Sequence, residues 1–274
     1  MNKNLLIICR GGGDLATGIA HRLHCAGYRV LILETQEPAA IRRQVSFCEA
    51  VYEGEAVVEN VRAVRINITD LWAEMQAVFA DGGIPLLVDP EGMAINMLMP
   101  DIVIDAIIAK KNLGTRMSMA PLVIGAGPGF TAGEDVHYVI ETKRGHNLGR
   151  IITKGSAAEN TGIPGNIGGF TSERVIHAPE DGSLRNVSHI GDVVEQGQVI
   201  ARILKPDGTE IPVEATITGV LRGLIKDRYR VTKGLKIADI DPRKEEQRNC
   251  FTISDKARCI AGSVLELVSA YANR

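Results

Sequence analysis

The chain has 274 residues, of which 45% are hydrophobic and 23% are charged, and its formal net charge is −2. This composition is typical of a globular protein with one large or two moderate domains. The near-neutral charge gives no reason to expect nucleic acid as a partner, and no apolar run approaches the ~18 residues of a membrane span. Five cysteines without a CxxC pair favour reduced thiols,. We therefore expect a cytoplasmic protein with neither nucleic-acid nor membrane partners, and no signal peptide is visible.

Strand and helix patterns alternate through residues 1–135. The apolar run "NLLIICR" predicts a first strand, "TGIAHRLHCAG" a helix, and "YRVLILET" a second strand. "PAAIRRQVSFCEAVY" predicts a further helix with a proline in its first turn. The short apolar runs "IPLLVDP", "DIVIDAIIA" and "APLVIGAGPGF" suit buried parallel strands. This alternation predicts an α/β fold, a Rossmann-like doubly wound parallel sheet that forms a nucleotide-binding domain.

The rest of the chain divides into three further parts. Residues 136–172 are rich in glycine and basic residues and predict a loop region. Residues 173–245 contain an internal repeat with a constant spacing of 37 residues, as from Ala178 to Ala215. The repeat predicts a β-rich domain with pseudo-twofold symmetry, similar to the barrel-sandwich modules that carry lipoyl and biotinyl groups. Residues 246–274 predict a C-terminal helix, capped by Ser254, that packs back on the protein.

The stretch "RGGGDLATG" follows the first strand directly and resembles a dinucleotide-binding loop. Gly11, Gly13 and Ala16 fill the three small positions of that motif, and a helix N-terminus follows that can bind an anion. Glu34 ends the second strand, close to the position of the acidic residue that binds a ribose. The same loop contributes Gly12, Asp14 and Thr17 to the predicted cofactor-binding set, although Asp14 would repel a pyrophosphate unless a cation or Arg10 offsets its charge. The alternative is that these glycines only allow the strand to turn into the helix.

Two other segments add candidate binding residues. "GAGPGF" places Gly127 and Gly129 after an apolar strand, where open α/β sheets bind ligands. The segment 143–154 concentrates cations around Arg144, His146 and Arg150, which suit a small phosphate- or carboxylate-bearing ligand. An ordinary solvated loop explains those cations equally well. Asp89 and Asp105 also follow apolar runs, and either can border the same crevice or cap a helix.

No catalytic constellation is evident in the sequence. GxSxG, HExxH and a cysteine with an obvious histidine base are all missing. No metal site is predicted, because His21 and His24 lack a third ligand. The catalytic residues are therefore unknown, and the alternatives are a carrier of a small ligand, an NAD-dependent oxidoreductase, and a protein-binding module whose glycine loop is structural. A homo-oligomer is a further alternative.

Several strings together resemble one family. They are "RGGGDLATGIAHRLHCAGYRV", "VSFCEAVYEG", "GTRMSMAPLVIGAGPGF", "HYVIETKRGHNLGR" and "ENTGIPGNIGG". The chain resembles the YqeB family of the selenium-dependent molybdenum hydroxylase system, and its N-terminal part is similar in kind to XdhC-type maturation factors. The resemblance implies an accessory protein that matures a molybdenum hydroxylase. It also implies that the protein handles labile selenium or the molybdopterin cofactor, and that its partner is a hydroxylase subunit. The cofactor itself is unknown, since the glycine loop indicates an NAD(P)-like nucleotide as the alternative.

Overall fold

The computed structural model describes residues 2–160, 162 and 165–274. Part of the predicted loop region 136–172 therefore lies outside the described residues, namely Thr161, Ile163 and Pro164. The chain divides into two compact units. Unit 1 comprises Met1–Pro38, Ser46–Thr161 and Ile253–Arg274, and unit 2 comprises Ala39–Val45 and Gly162–Thr252. The four-part division at residues 135, 172 and 245 stays a prediction.

Unit 1 is built on a nine-stranded sheet. Its strands are β1 (Leu6–Arg10), β2 (Arg29–Glu34), β3 (Glu55–Val58), β4 (Val61–Ile66), β5 (Ile84–Val88), β6 (Ile102–Asp105), β7 (Leu122–Ala126), β9 (Tyr138–Ile140) and β10 (Ile151–Ile152). Two further strands, β8 (Thr131–Ala132) and β11 (Gly155–Ser156), form a separate pair. The order across the large sheet is β10-β9-β7-β6-β1-β2-β5-β4-β3. The central strands are parallel and almost wholly apolar, because both of their faces are buried,.

The predicted Rossmann-like, doubly wound parallel sheet is wrong, because the sheet is mixed. At one edge β3 and β4 form an antiparallel hairpin, whose two turn residues, Glu59 and Asn60, have φ of 45° and 69°. Positive φ at both turn residues suits a tight hairpin turn. At the other edge β9 and β10 are also antiparallel. The helix predicted at 38–52 is replaced by two 3₁₀ turns, Arg43–Val45 and Phe47–Glu49, and the short α-helix Ala50–Glu53, since Ser46 between the two turns is extended.

Helices cover the two faces of the sheet. They are α1 (Asp14–Cys25), α2 (Ala50–Glu53), α3 (Leu71–Ala80), α4 (Met93–Leu98) and α5 (Asp255–Ala272). Residues Ile8, Leu31 and Leu33 of the strands form one apolar cluster with α3 and α4, and α1 and α5 contribute no described residue to it. The alternate strand residues face the other way, where α1 packs on β1 and β2,. There α5 lies close against α1, since a Cβ added at Gly18 would be 2.8 Å from that of Ala257.

Unit 2 consists of two four-stranded antiparallel sheets. Its strands are β12 (Val175–His177), β13 (Gly182–Asn186), β14 (Val193–Val194), β15 (Val199–Leu204), β16 (Glu210–Glu214), β17 (Gly219–Leu224), β18 (Arg230–Val231) and β19 (Lys236–Asp241). The orders are β12-β19-β17-β14 and β16-β15-β13-β18. Strands β13, β14 and β15 recur as β17, β18 and β19 at the 37-residue spacing seen in the sequence. The strands enclose one shared apolar cluster.

The predicted barrel-sandwich domain is wrong as a description of these strands. Among the described residues no backbone pairing joins the two sheets, so each is a separate open sheet. The C-terminal part of the chain contains the helix for which Ser254 was predicted as the N-cap. A 3₁₀ helix at Lys244–Phe251 precedes α5, and Ser254 caps α5 by accepting a hydrogen bond of 3.2 Å from the Ala257 amide.

None of the described helices is both long enough and apolar enough to pass through a membrane.

Candidate functional site

The centre of the large sheet contains a crevice at the carboxyl ends of its strands. From β1 the chain continues through α1 to β2 on one side, whereas β6 enters on the other side of β1. Open α/β sheets bind ligands where successive connections diverge in this way, outside the carboxyl ends of the strands. A cavity of about 600 Å³ lies at this edge, and Gly11 at the end of β1 is part of its lining. Its apolar walls come from Leu33, Pro90, Ile107 and Leu113.

Arg10, the last residue of β1, is the buried cation of the cavity. Only 4% of it is exposed, yet it lines the cavity. Its Nη1 lies 3.4 Å from Asp105 Oδ2 and donates a hydrogen bond to Thr115 Oγ1. Thr115 Oγ1 in turn donates to Asp105 Oδ2 at 2.5 Å. Among the described residues Nε and Nη2 have no hydrogen-bond partner, so two donors of a charged, buried group are free for a ligand.

Asp105 is positioned to balance the charge of Arg10. The two residues are register partners on the neighbouring parallel strands β1 and β6, so their side chains point to the same face,. Burial raises the pKa of the Asp105 carboxyl, and the hydrogen bond from Thr115 and the charge of Arg10 oppose that rise. The buried pair therefore depends on its close geometry, because each charge alone would be costly in this setting.

Glu34, the last residue of β2, lines another part of the cavity. Its Oε2 accepts a hydrogen bond of 2.7 Å from the Gly12 amide, and its Oε1 accepts one of 2.7 Å from the Thr35 amide. Burial raises the pKa of this carboxyl, and the two amides lower it in part. No lysine or arginine among the described residues forms an ion pair with it. Backbone amides thus hold Glu34 in place. Each of its two carboxylate oxygens still has a lone pair that can accept a hydrogen bond from a ligand.

Asp89 lines the cavity but serves the chain itself. Its carboxylate accepts hydrogen bonds of 2.8–3.0 Å from the amides of Gly92, Met93 and Ala94, where α4 begins. This is the helix-capping role that the sequence left open for Asp89 and Asp105. Only Asp89 has that role, whereas Asp105 faces Arg10.

The polar groups of the glycine loop bond to the protein itself. The Gly11 amide donates to Leu33 O at 2.8 Å, and Gly12 O accepts from the Cys48 amide at 2.9 Å. Thr17 Oγ1 donates to Gly12 O and accepts from the Phe47 amide. A Cβ at Gly11 would lie 3.0 Å from Ala106 O, and one at Gly12 would lie 3.0 Å from the Cys48 amide nitrogen. These two glycines therefore allow close packing of the loop against its neighbours.

The other predicted binding residues do not line the cavity. Gly13 caps α1, with Asp14 as the first helical residue and Ala16 buried behind it. A Cβ at Gly127 or Gly129 would meet Thr142 or Lys111 at 2.7 Å, so both glycines allow close packing. Arg144 forms two hydrogen bonds with Asp255, and His146 and Arg150 lie exposed in the same loop. Their role in binding stays a prediction.

Sequence reasoning missed Arg10 and Thr115 as site residues. Arg10 appeared only as a cation that could offset Asp14, because nothing near it in the sequence shows its partners. The one available signal was a charged residue at the end of an otherwise apolar strand, directly before the glycines. No group of three or more His, Cys, Asp or Glu side chains in the described part of the chain is arranged to hold a metal ion.

Comparison with known proteins found one close sequence relative. No family model matches the chain. The uncharacterized protein YqeB of Escherichia coli (strain K12) is 49% identical over 261 residues, which are 95% of this chain and 47% of that protein. The chain thus spans about half the length of this curated relative.

Similar solved structures have low overall agreement with the chain. The product-bound ectoine utilization protein EutE (DoeB) from Ruegeria pomeroyi has a TM-score of 0.27 and 11% identity, and the match covers 86% of this chain and 85% of that chain. A succinylglutamate desuccinylase/aspartoacylase from Rhodobacter sphaeroides has a TM-score of 0.29 and 12% identity, with 88% and 87% covered.

The predicted maturation protein of a selenium-dependent molybdenum hydroxylase system is wrong. Neither the description of the sequence relative nor those of the two solved structures connects the chain with such a system. The predicted nucleotide or molybdopterin ligand is also wrong, whereas the role of the glycine-loop residues in binding stays a prediction. The Gly12 amide, which a pyrophosphate would need, is already bonded to Glu34, and Cys48 closes the loop from the other side.

Proposed function

We propose that this protein binds a small organic molecule in the crevice at the carboxyl ends of β1, β2, β5 and β6, through an acceptor oxygen that contacts Arg10. The observation that carries the proposal is the guanidinium of Arg10. It is buried and charged, and two of its donor nitrogens have no partner among the described residues. These donors are open to the cavity, so a bound carboxylate or carbonyl oxygen can accept hydrogen bonds from them, and hydrogen bonds from a charged donor are stronger than those between neutral groups,.

The remaining lining supports a small ligand with an apolar middle. Small-molecule sites are typically clefts of about 300–1,000 Å³ with mostly apolar walls and a few fixed polar groups. The cavity has this size and these walls, and Arg10 and Glu34 are both held by hydrogen bonds within the protein. Such preorganised groups lose little freedom when a ligand binds.

Binding of fragments to the Arg10→Lys variant tests the proposal. Lysine keeps the positive charge beside Asp105 but lacks the planar fork of donors. Ligand-observed NMR with a library of small carboxylic acids, amides and cyclic imides should find fragments that bind the unmodified protein. Their affinity should fall about tenfold or more in Arg10→Lys, the effect of losing one hydrogen bond to a charged group.

Two further variants make that experiment decisive. Arg116→Lys makes the same change at an exposed arginine of the adjoining loop and should leave fragment binding unchanged. Leu113→Trp enlarges a wall residue that is 45% exposed, so the fold tolerates it while the cavity fills. Fragments that bind all variants equally, or a library without a single binder, would contradict the proposal.

We also propose that the chain is a member of the YqeB family and works in the cytoplasm. The 49% identity to YqeB supports the first statement. The second is supported by the five cysteines, all of which lie in the described part of the chain and are free. Free thiols are typical of reducing compartments.

A further inference from the structure

The charges around the cavity are distributed unevenly. The positive charge of Arg10 is balanced by Asp105, 3.4 Å away, so this buried pair has no net charge. The other charged residues of the lining are all acidic, namely Glu34, Asp89 and Glu91. Asp89 is surrounded by the three amides at the start of α4, which compensate its charge,. Uncompensated negative charge therefore remains at Glu34 and Glu91.

Neither of these two carboxylates has a cationic partner in the described part of the chain. Among the residues that the structure describes, Glu34 accepts hydrogen bonds only from the amides of Gly12 and Thr35. Glu91 is exposed and makes no hydrogen bond to any described residue. A dianion would bring its second negative group towards these carboxylates, and like charges at short range repel each other.

The geometry points to a zwitterionic ligand of the amino-carboxylate class, with its carboxylate on Arg10 and its ammonium group towards Glu34 and Glu91. This inference rests on the function proposed above. The planar fork of Arg10 suits a carboxylate, because two parallel N–H groups can meet its two oxygens. An ammonium group has three donors and no acceptor, so it matches carboxylates that still have free lone pairs. The cavity lining also includes Leu33, Pro90, Ile107 and Leu113, and these apolar residues suit the methylene groups of such a ligand.

Three probes of matched size test the inference by calorimetry on the full chain. They are 5-aminopentanoate, its dicarboxylate counterpart glutarate, and pentanoate, which lacks the second polar end. We expect 5-aminopentanoate to bind at least about tenfold more tightly than glutarate, since one charge-assisted hydrogen bond replaces a repulsion. Pentanoate should fall between the two.

Variants show which carboxylates produce this preference. Glu34→Gln should lower the preference for 5-aminopentanoate over glutarate about tenfold and leave pentanoate binding almost unchanged. Glu91→Gln should lower it by a smaller factor, and it is a safe second variant because Glu91 is exposed and unbonded among the described residues. Glu134→Gln, at an exposed turn outside the cavity, is the matched control and should have no effect.

The outcomes separate the two proposals. If glutarate binds as tightly as 5-aminopentanoate, or if neither cavity variant changes the preference, the zwitterion inference is overturned. The function proposed above then still stands, provided that pentanoate binding is weakened by Arg10→Lys. If no probe binds, or if Arg10→Lys changes nothing, both proposals fail.

Discussion

Gly11, Gly12 and Gly13 are adjacent in the sequence but have different roles in the structure. A side chain at Gly11 or Gly12 would meet backbone atoms at 3.0 Å, whereas no atom lies within 4 Å of a Cβ built at Gly13. The sequence presented them as one nucleotide-binding motif. Their environments come from segments about 40 and 95 residues away, which no local pattern could show.

We predict opposite effects of the same substitution at two of these glycines. Gly12→Ser should lower the free energy of unfolding by about 1–3 kcal/mol, because its side chain is forced against the Cys48 backbone,. Gly13→Ser should raise it by a few tenths of a kcal/mol, since Gly13 has the extended backbone of an N-cap and serine caps helices slightly better than glycine,. Urea unfolding measures both, and equal losses in the two variants would contradict the packing argument.

Glu34 was predicted as a site residue from the sequence, whereas Arg10 was not. Glu34 was predicted as a ligand-binding residue from its place at a strand end, and it does line the cavity. Its partner was not predictable, because the expected ribose is replaced by the protein's own Gly12 amide. Arg10 was not predicted as a site residue, since its partners Asp105 and Thr115 are 95 and 105 residues away.

At the level of elements, the apolar strands were the easiest to predict. The runs that form β1, β5, β6 and β7 are buried on both faces, so their composition alone identifies them,. The edge strand β3 and the segment at 38–52 were harder. β3 has the burial of a half-exposed edge strand, and the apolar residues at 45–51 are buried by tertiary packing without a continuous helix,.

The contact between α1 and α5 gives the second prediction. Alanine normally stabilises a helix by about 1 kcal/mol relative to glycine. At Gly18, however, the new Cβ would lie 2.8 Å from that of Ala257. We therefore expect Gly18→Ala to lower the free energy of unfolding by about 1 kcal/mol. In an Ala257→Gly background the same change should raise it.

A double-mutant cycle by chemical denaturation measures this coupling, expected at about 1–2 kcal/mol. Gly262→Ala is the matched control, because that glycine of α5 has open space around it and the change should stabilise the protein. Additive effects of Gly18→Ala and Ala257→Gly would show that the two helices do not restrain each other here.

At the level of the whole molecule, the N-terminal and C-terminal segments of the chain belong to the same unit, unit 1. The C-terminal segment joins unit 1 after the chain has passed through unit 2. Glu59, in the β3–β4 turn, accepts a hydrogen bond of 2.8 Å from the Ile253 amide and one of 2.6 Å from Arg258. This single carboxylate thus connects residues almost 200 positions apart and positions the start of α5.

We expect this connection to make stability depend on pH. Burial raises the pKa of Glu59, but the bonds from Ile253 and Arg258 outweigh that effect and lower its pKa overall. A carboxyl with a lowered pKa contributes stability above its unfolded pKa of about 4.3, and this contribution is lost as the pH falls through the folded pKa. Glu59→Gln should therefore lower the free energy of unfolding by about 1 kcal/mol at pH 7.

Urea unfolding at a series of pH values between 7 and about 3 measures the effect. The difference between Glu59→Gln and the unmodified protein should shrink as the pH falls and vanish at the acidic end. Glu266→Gln removes an exposed carboxylate from α5 and should have little effect at any pH. A difference that stays constant with pH would show that the charge of Glu59 is not involved.

The sequence by itself predicted the local features of the fold. Apolar runs identified the central strands, Ser254 identified the start of the last helix, and the 37-residue spacing identified the repeated strands of unit 2. Each of these features depends on residues close together or on a pattern repeated along the chain. The mixed edges of the large sheet, the closure of the glycine loop by Glu34 and Cys48, and the pairing of Arg10 with Asp105 were settled only by tertiary structure. These features are contacts between segments that are far apart in the chain. The free energy of such contacts depends on packing and desolvation, which no short stretch of sequence determines.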